Sequence, residues 1–217
     1  MAEPGNRKRP RRTRERILDA SLLLFNRAGE PRTTTADIAH ELEISPGNLY
    51  YHFRNKRDIV ASLFSAFEQR FSSVHVHPVP PSAGVEDLWL IMHLQFEAMW
   101  DYRFLYRDID EIFSRERGLA GRFASLMRQL SRTVTEWCAA MIARGEMAAG
   151  EHELDALGHN VALVSTYWIS YQKLRSGERD EPVLTLNTAA YQTLSLVSPF
   201  LRGDARALLE RLRRDYL

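Results

Sequence analysis

The 217-residue chain contains one cysteine, Cys138, so no internal disulfide framework braces it and a reducing cytoplasm suits it. No apolar run approaches the roughly 18 residues of a membrane span, and the basic N-terminus has no apolar core of secretory type. Strand-like alternation is nearly absent. There is no P-loop, no Gly-x-Ser-x-Gly and no zinc-like cysteine spacing. The histidines at 40, 52, 75, 77, 93, 152 and 159 complete no Glu-x-x-His pair of the di-iron bundle type. These gaps point away from secreted, membrane-spanning and common catalytic classes. The expectation is a cytoplasmic protein that is not an enzyme, with no metal and no cofactor.

What is present is charge asymmetry and helical periodicity. The net charge of +1 hides 13 Lys and Arg against 9 Asp and Glu in residues 1–71, and the reverse excess in the rest. Arg7, Lys8, Arg9, Arg11, Arg12, Arg14 and Arg16 face only Glu3 and Glu15. Residues 1–12 therefore read as a disordered basic arm that meets polyphosphate, with a solvated tail as the alternative.

Helix signals then follow in order. Thr13 opens a helix that Gly29 ends. Thr34 caps a short second helix, with Asp37 as partner in a capping box. Ser45 caps a third whose first residue is Pro46, and Asn55 with Asp58 opens a fourth that runs to about Phe71. The segment SSVHVHPVPPSAG, residues 72–84, is too rich in Pro, Ser and Gly to hold a helix and reads as a loop. His75 and His77 lie in it without a carboxylate or cysteine nearby in sequence. From Val85 the pattern is long helices, including 104–115, 154–175, 183–201 and 204–216. The fold class is all-α.

The stretch ISPGNLYYHFRNK, residues 44–56, holds more polar and aromatic reach than a buried helix uses. Segments 34–41 and 46–52 have the size of a helix-turn-helix. Ile38, Ala39, Leu42, Ile44 and Leu49 would be buried where they cross, leaving Pro46, Gly47, Asn48, Tyr50, Tyr51 and His52 outward. Ser45 and the free N–H groups at the helix start suit a phosphate or a groove. Gly47 keeps that start thin, and Asn48 both donates and accepts on a base edge. Tyr50, His52, Lys56 and Thr34 carry donors for phosphates. A structural helical hairpin is the alternative.

TTTADIAHELEISPGNLYYHFRNKRDIV, residues 33–60, closely resembles the DNA-binding segment of the TetR family of bacterial transcriptional regulators. The threonine run, Ile38-Ala39, the Ser-x-Gly of 45–47, Leu49-Tyr50, His52-Phe53 and Lys56 fall in register. WDYRFLYRDIDEIF, residues 100–113, resembles part of the body of one branch of that family. Glu43 departs from the pattern, standing where the family often has glycine, so the turn either avoids a positive φ or accepts its strain. The resemblance implies phosphate contacts from Thr34, Tyr50, His52 and Lys56, and base contacts from Pro46, Gly47, Asn48 and Tyr51. It also implies a homodimer that binds a small molecule in the body and releases a palindromic operator.

On this reading residues 13–55 form the DNA-binding domain and 56–217 a helical ligand-binding and dimerisation domain. The body is rich in aromatics, each of which alone reads as core packing. As a set, Phe96, Trp100, Tyr106, Phe113, Trp137 and Trp168 make room for an apolar effector. Helix 154–175 is apolar on two sides, through Leu157, Val161, Val164, Trp168 and Tyr171 and through Leu163, Tyr167, Ser170 and Leu174, so it needs two packing partners. With Leu184, Leu186, Ala190, Leu194 and Val197 of 183–201 it forms the expected dimer surface. The fourth helix, continuous from head to body, is expected to be the one covalent lever between them. The function expected is a ligand-responsive repressor; the rivals are a constitutive or architectural DNA-binding protein, or an enzyme on the helical body.

Overall fold

The computed structural model describes residues 8–75, 78–176 and 182–214. Among these the regular structure is all helical: α1 (Lys8–Ala28), α2 (Thr35–Glu41), α3 (Pro46–His52), α4 (Lys56–Val74), α5 (Val85–Asp101), α6 (Phe104–Arg107), α7 (Ile109–Arg115), α8 (Arg117–Ala143), α9 (Glu151–Ser176), α10 (Pro182–Val197) and α11 (Gly203–Arg214). A 3-10 turn spans Ser198–Phe200, and the only β pairing among the described residues is one bridge between Met147 and Leu201.

Several boundaries move from those expected. The chain is helical from Lys8, so the second half of the supposed disordered arm belongs to α1. Arg and Lys are good helix formers, and Pro10 sits in the first turn, where its missing N–H leaves no bond unmade. Residues 1–7 and His77 lie outside the described residues. The 104–115 segment is two helices, broken at Asp108 where the backbone turns to φ −107°, ψ 29°. The loop begins only after Val74.

The chain forms two compact units. The first contains residues up to Phe67 together with Tyr102–Leu119; the second contains Glu68–Asp101 and everything from Ala120. The polypeptide therefore passes between units three times, within α4, after α5 and within α8. This corrects the expectation that α4 is the one covalent lever.

In the first unit, aromatic packing joins two segments far apart in sequence. Phe25 of α1 lies 5.3 Å from Phe104 of α6, Phe67 of α4 lies 5.8 Å edge-on to Tyr106, and Phe64 lies 6.1 Å edge-on to Phe113. Tyr106 is wholly buried, and burial pushes its phenol well above the usual range. Polar bonds complete the join. Arg107 donates to the carbonyls of Phe25 at 2.6 Å and Asn26 at 3.0 Å, both in the last turn of α1. Such terminal carbonyls lack helical partners, so the guanidinium acts as a C-terminal cap. Gly29 then turns the chain at φ +97°, and Asp108 accepts the Glu30 N–H at 2.9 Å.

Glu30 is the buried charge of this unit, 3% exposed. Its carboxylate takes Lys56 Nζ at 3.0 Å on one oxygen and Arg115 at 2.5 Å on the other. Lys56 also donates to the carbonyls of Glu30 at 2.8 Å and Thr33 at 3.0 Å. An ammonium has three protons, and here three oxygens surround it. One residue thus ties the start of α4 to the loop preceding α2, while Arg115 ties in α7.

In the second unit, α10 packs on α5 and α9. At Gly158 an added Cβ would meet Thr135 Oγ1 at 2.7 Å and the Ser131 carbonyl at 2.8 Å. Only glycine lets α9 lie this close to α8. Arg122 forks onto Glu68 with contacts of 2.5 and 3.2 Å, and Arg70 pairs with Asp101. Cys138 is buried, which pushes its thiol up to about 12 and leaves it unreactive.

Removing a partner from a buried carboxylate leaves charge uncompensated. Lys56→Met should lower stability by about 1–3 kcal/mol, because Arg115 still holds Glu30. Arg57→Met, which breaks an exposed pair with Glu116, should change stability by about 0.5 kcal/mol or less. Urea unfolding of both variants checks this; equal effects would show that the Glu30 cluster is not a stability element.

Candidate nucleic-acid interface

The turn that joins α2 to α3 is set by three local devices. Thr34 and Asp37 form a reciprocal capping box: Asp37 N–H donates to Thr34 Oγ1 at 3.2 Å, and Thr34 N–H donates to the Asp37 carboxylate at 2.7 Å. The Thr34 N–H, together with the Thr34 hydroxyl 2.8 Å from the same oxygen, holds the Asp37 carboxyl below its usual range. Ser45 Oγ accepts the Asn48 N–H at 3.2 Å, with Pro46 at the first helical position. Between them Glu43 adopts φ +53°, so the turn accepts the strain that glycine would avoid.

Packing then decides what α3 shows to the outside. Ile38, Ala39, Leu49 and Phe53 are buried, while Leu42 and Ile44, expected in the same core, are only half-buried. Pro46, Gly47, Asn48, Tyr50 and Tyr51 are exposed, Tyr51 at 78%. A Cβ added at Gly47 would meet only Ser45 Oγ, at 3.9 Å, so nothing inside the chain requires glycine there. The Asn48 side-chain amide bonds to no group among the described residues. Tyr50 Oη lies 3.1 Å from Thr35 Oγ1, which fixes its reach, and His52 is half-buried with its ring edge-on to Tyr51 at 5.1 Å.

Lys56 differs from the other candidates. Its ammonium is engaged inside the unit, so it positions the helix-turn-helix instead of standing ready for a phosphate. Its partners lie 23 and 26 residues away, and no local sequence signal announces such a contact. Arg14, at 4.8 Å over the Phe53 ring and 3.0 Å from Ser62 Oγ, plays a similar bracing part.

The six aromatic candidates for a ligand site divide between the two units. Tyr106 and Phe113 belong to the first unit, whereas Phe96, Trp100, Trp137 and Trp168 belong to the second. Helical spacing places each on an apolar face but does not say which unit that face joins. Within the second unit a cavity of about 670 Å³ is lined by Val74, Pro80, Ala83, Leu90, Ile91, Leu94 and Trp137, with Arg70, Ser73, Ser82, Asp87 and Glu97 among them. Only Trp137 of the six lines it.

The expected dimer helices also divide. On α9, Leu157, Val161 and Trp168 are buried, while Leu163 at 58%, Tyr167, Tyr171 and Leu174 at 87% are exposed. Tyr171 was expected on the face of Trp168; it rests against that ring at 5.7 Å yet is half open. On α10, Ala190, Leu194 and Val197 are buried where the helix packs on α5 and α9, so they serve the core of this chain. The side chain of Leu184 lies outside the described residues.

Comparisons with known proteins agree with this architecture. Residues 17–63 match the family described as bacterial regulatory proteins of the tetR family, and residues 66–209 match that described as bacterial transcriptional repressor, TetR. A crystal structure of a TetR-family transcriptional regulator from Marinobacter aquaeolei VT8 is 32% identical, covering 94% of this chain and 98% of its own, with a TM-score of 0.83. A probable HTH-type transcriptional regulator of Pseudomonas putida, ArpR, is 33% identical over 76 residues, 35% of this chain and 34% of that protein. The first curated relatives are thus matched over about a third of their length or less. The structure of a SmeT–triclosan complex, 20% identical over 89% of this chain and 94% of its own, has the same fold with a TM-score of 0.57. No helix among the described residues is long and apolar enough to cross a membrane. The helix-turn-helix unit, the all-helical second unit and matches spanning most of the sequence lead to one conclusion: the chain belongs to the TetR family of bacterial transcriptional regulators.

Proposed function

We propose that this regulator is a repressor that binds a palindromic operator as a homodimer and is released by a small apolar or aromatic effector. The observation that carries the DNA reading is the outward face of α3. Pro46, Gly47, Asn48 and Tyr51 stand exposed on a helix whose other side is buried through Leu49. Asn48 reads a base edge, Gly47 admits close approach, and Tyr51 packs against the groove wall. Thr34, Ser45, Tyr50 and His52 meet phosphates. Lys56 holds this face in place from within.

The dimer reading rests on α9, whose exposed Leu163, Tyr167, Tyr171 and Leu174 follow helical spacing along one side. An exposed apolar stripe of this kind marks an interaction surface, and a second copy of the same stripe would cover it with two-fold symmetry. The symmetric heads then meet half-sites one helical turn apart, roughly 34–36 Å, or a multiple of that. The solved relative named for triclosan supports a small-molecule effector, and the cavity beside Trp137 is the site proposed for it. Effector binding would reach the head through the three chain crossings together. A coupling of roughly 1–3 kcal/mol would change operator affinity about 5- to 150-fold, and operator would weaken effector binding by the same factor.

Asn48→Ala should relax base preference at one operator position by roughly 1–3 kcal/mol while leaving the salt dependence of binding unchanged. Selection from randomised operators reads this; an unchanged preference means that α3 is oriented differently in the groove. Leu163→Glu should yield monomers that bind operator weakly, seen by sedimentation at micromolar concentration. A wild-type chain that is monomeric there would remove the dimer reading. A constitutive DNA-binding protein is the rival, and it predicts operator affinity that no bound small molecule alters.

A further inference from the structure

The open face of α9 is not uniform along its length. Leu163 stands exposed near its middle, and exposed Tyr167, Tyr171 and Leu174 fill the C-terminal half. The N-terminal half of the same face carries Ala156 and Asn160, which are small and also exposed. These residues recur at helical spacing, so one straight stripe runs from low relief to high.

Charge follows the same gradient. Exposed Glu153 and Asp155 stand toward the N-terminal end, and exposed Lys173 and Arg175 in the last turn. The helix dipole favours acids in the first turn and bases in the last, but Asp155 lies beyond the first turn. Glu153 accepts the Gly150 N–H at 2.7 Å, and Asp155 lies 3.5 Å from His159. No ion pair among the described residues engages Lys173 or Arg175.

At about 100° per residue, Asp155 and Lys173 project on one side of the stripe, and Glu153 and Arg175 on the other. Both pairs have the same midpoint, Val164. Two copies of a helix that meet antiparallel about a two-fold axis bring the same side of each stripe together. Centred on Val164, such a pair sets Asp155 beside Lys173 of the partner subunit and Glu153 beside Arg175 of the partner subunit. Tyr171 and Leu174 then fall on the low half of the other stripe. A parallel pair would set acid on acid, base on base and ring on ring, and like charges at close range repel.

We propose that the chain recognises its second copy through an antiparallel α9 pair centred near Val164, closed at its edges by intersubunit pairs Asp155–Lys173 and Glu153–Arg175. This pairing deepens the dimer reading given above and rests on it: the apolar stripe supplies the contact, and the order of signs selects the partner.

Sedimentation of two full-length variants, alone and mixed, tests the pairing. Lys173→Glu with Arg175→Glu makes both ends of α9 acidic, and Glu153→Lys with Asp155→Lys makes both basic. Alone, each variant places like charges together at both pairs in both symmetric halves of the dimer. Its dissociation constant should rise about 10-fold or more over wild type at low salt. Mixed in equal amounts, the two variants should form heterodimers within about 2-fold of wild-type affinity, because every pair is then opposite in sign. Near 1 M salt, where the Debye length is about 3 Å, these differences should shrink.

The mixture is also the control for folding, since a variant damaged in its own fold gains nothing from the other. Variants that dimerise alone as wild type does, or a mixture no tighter than its components, would overturn the antiparallel pairing and leave the dimer reading standing. A wild-type chain that stays monomeric at micromolar concentration overturns both.

Discussion

The buried Glu30 carboxylate is the constraint on which the first unit depends. A charge taken out of water is tolerated only with partners of opposite sign and enough donors. Here those partners come from the start of α4 and from α7, 26 and 85 residues away. Satisfying one carboxylate therefore fixes three elements relative to each other, and α3 packs beside α2 with Leu49 buried. The exposed face proposed to meet DNA is a by-product of this internal arrangement. Arg107 and Asp108 extend the same principle, closing the end of α1 and the turn at Gly29 with groups from a distant part of the chain.

Short-range chemistry made the head legible. Thr34 with Asp37, Ser45 with Pro46, and Asn55 with Asp58 announce helix starts because a cap and its partner lie within one turn. The Asp58 N–H indeed donates to Asn55 Oδ1 at 2.9 Å. Glu43 was readable as a choice between two backbones, and the turn took the strained one. What local pattern could not carry was partnership at a distance. The apolar stripe of α6 and α7 reads the same whether it packs on α1 and α4 or on other helices of the body. Lys56 reads as a free cation until Glu30 and Thr33 are seen beside it.

The body was less readable for a related reason. Periodicity on α10 identifies an apolar face in Ala190, Leu194 and Val197 but not its partner, and that partner is α5 and α9 of the same chain. The long stripe of α9 was apolar on two sides, and only packing separates the side facing inward at Val161 and Trp168 from the one left open at Leu163 and Leu174. Aromatic content, likewise, marks volume and not location. Trp137 stands out among the six candidates because its N–H is buried without an acceptor beside an apolar cavity, a property no sequence window reports.

The two-segment construction of the head bears on how such regulators recombine. A gene fusion made at Phe67 would carry α1 to α3 and most of α4 but leave behind α6 and α7, with the rings that cover Phe25, Phe64 and Phe67 and with Arg115, one of the two cations on Glu30. A transplanted head would arrive with its own core uncovered. Changes in DNA specificity are therefore more readily inherited as point changes on the open face of α3 than as exchange of a cassette, because the groups that close the end of α1 and hold Glu30 lie 82 and 85 positions downstream.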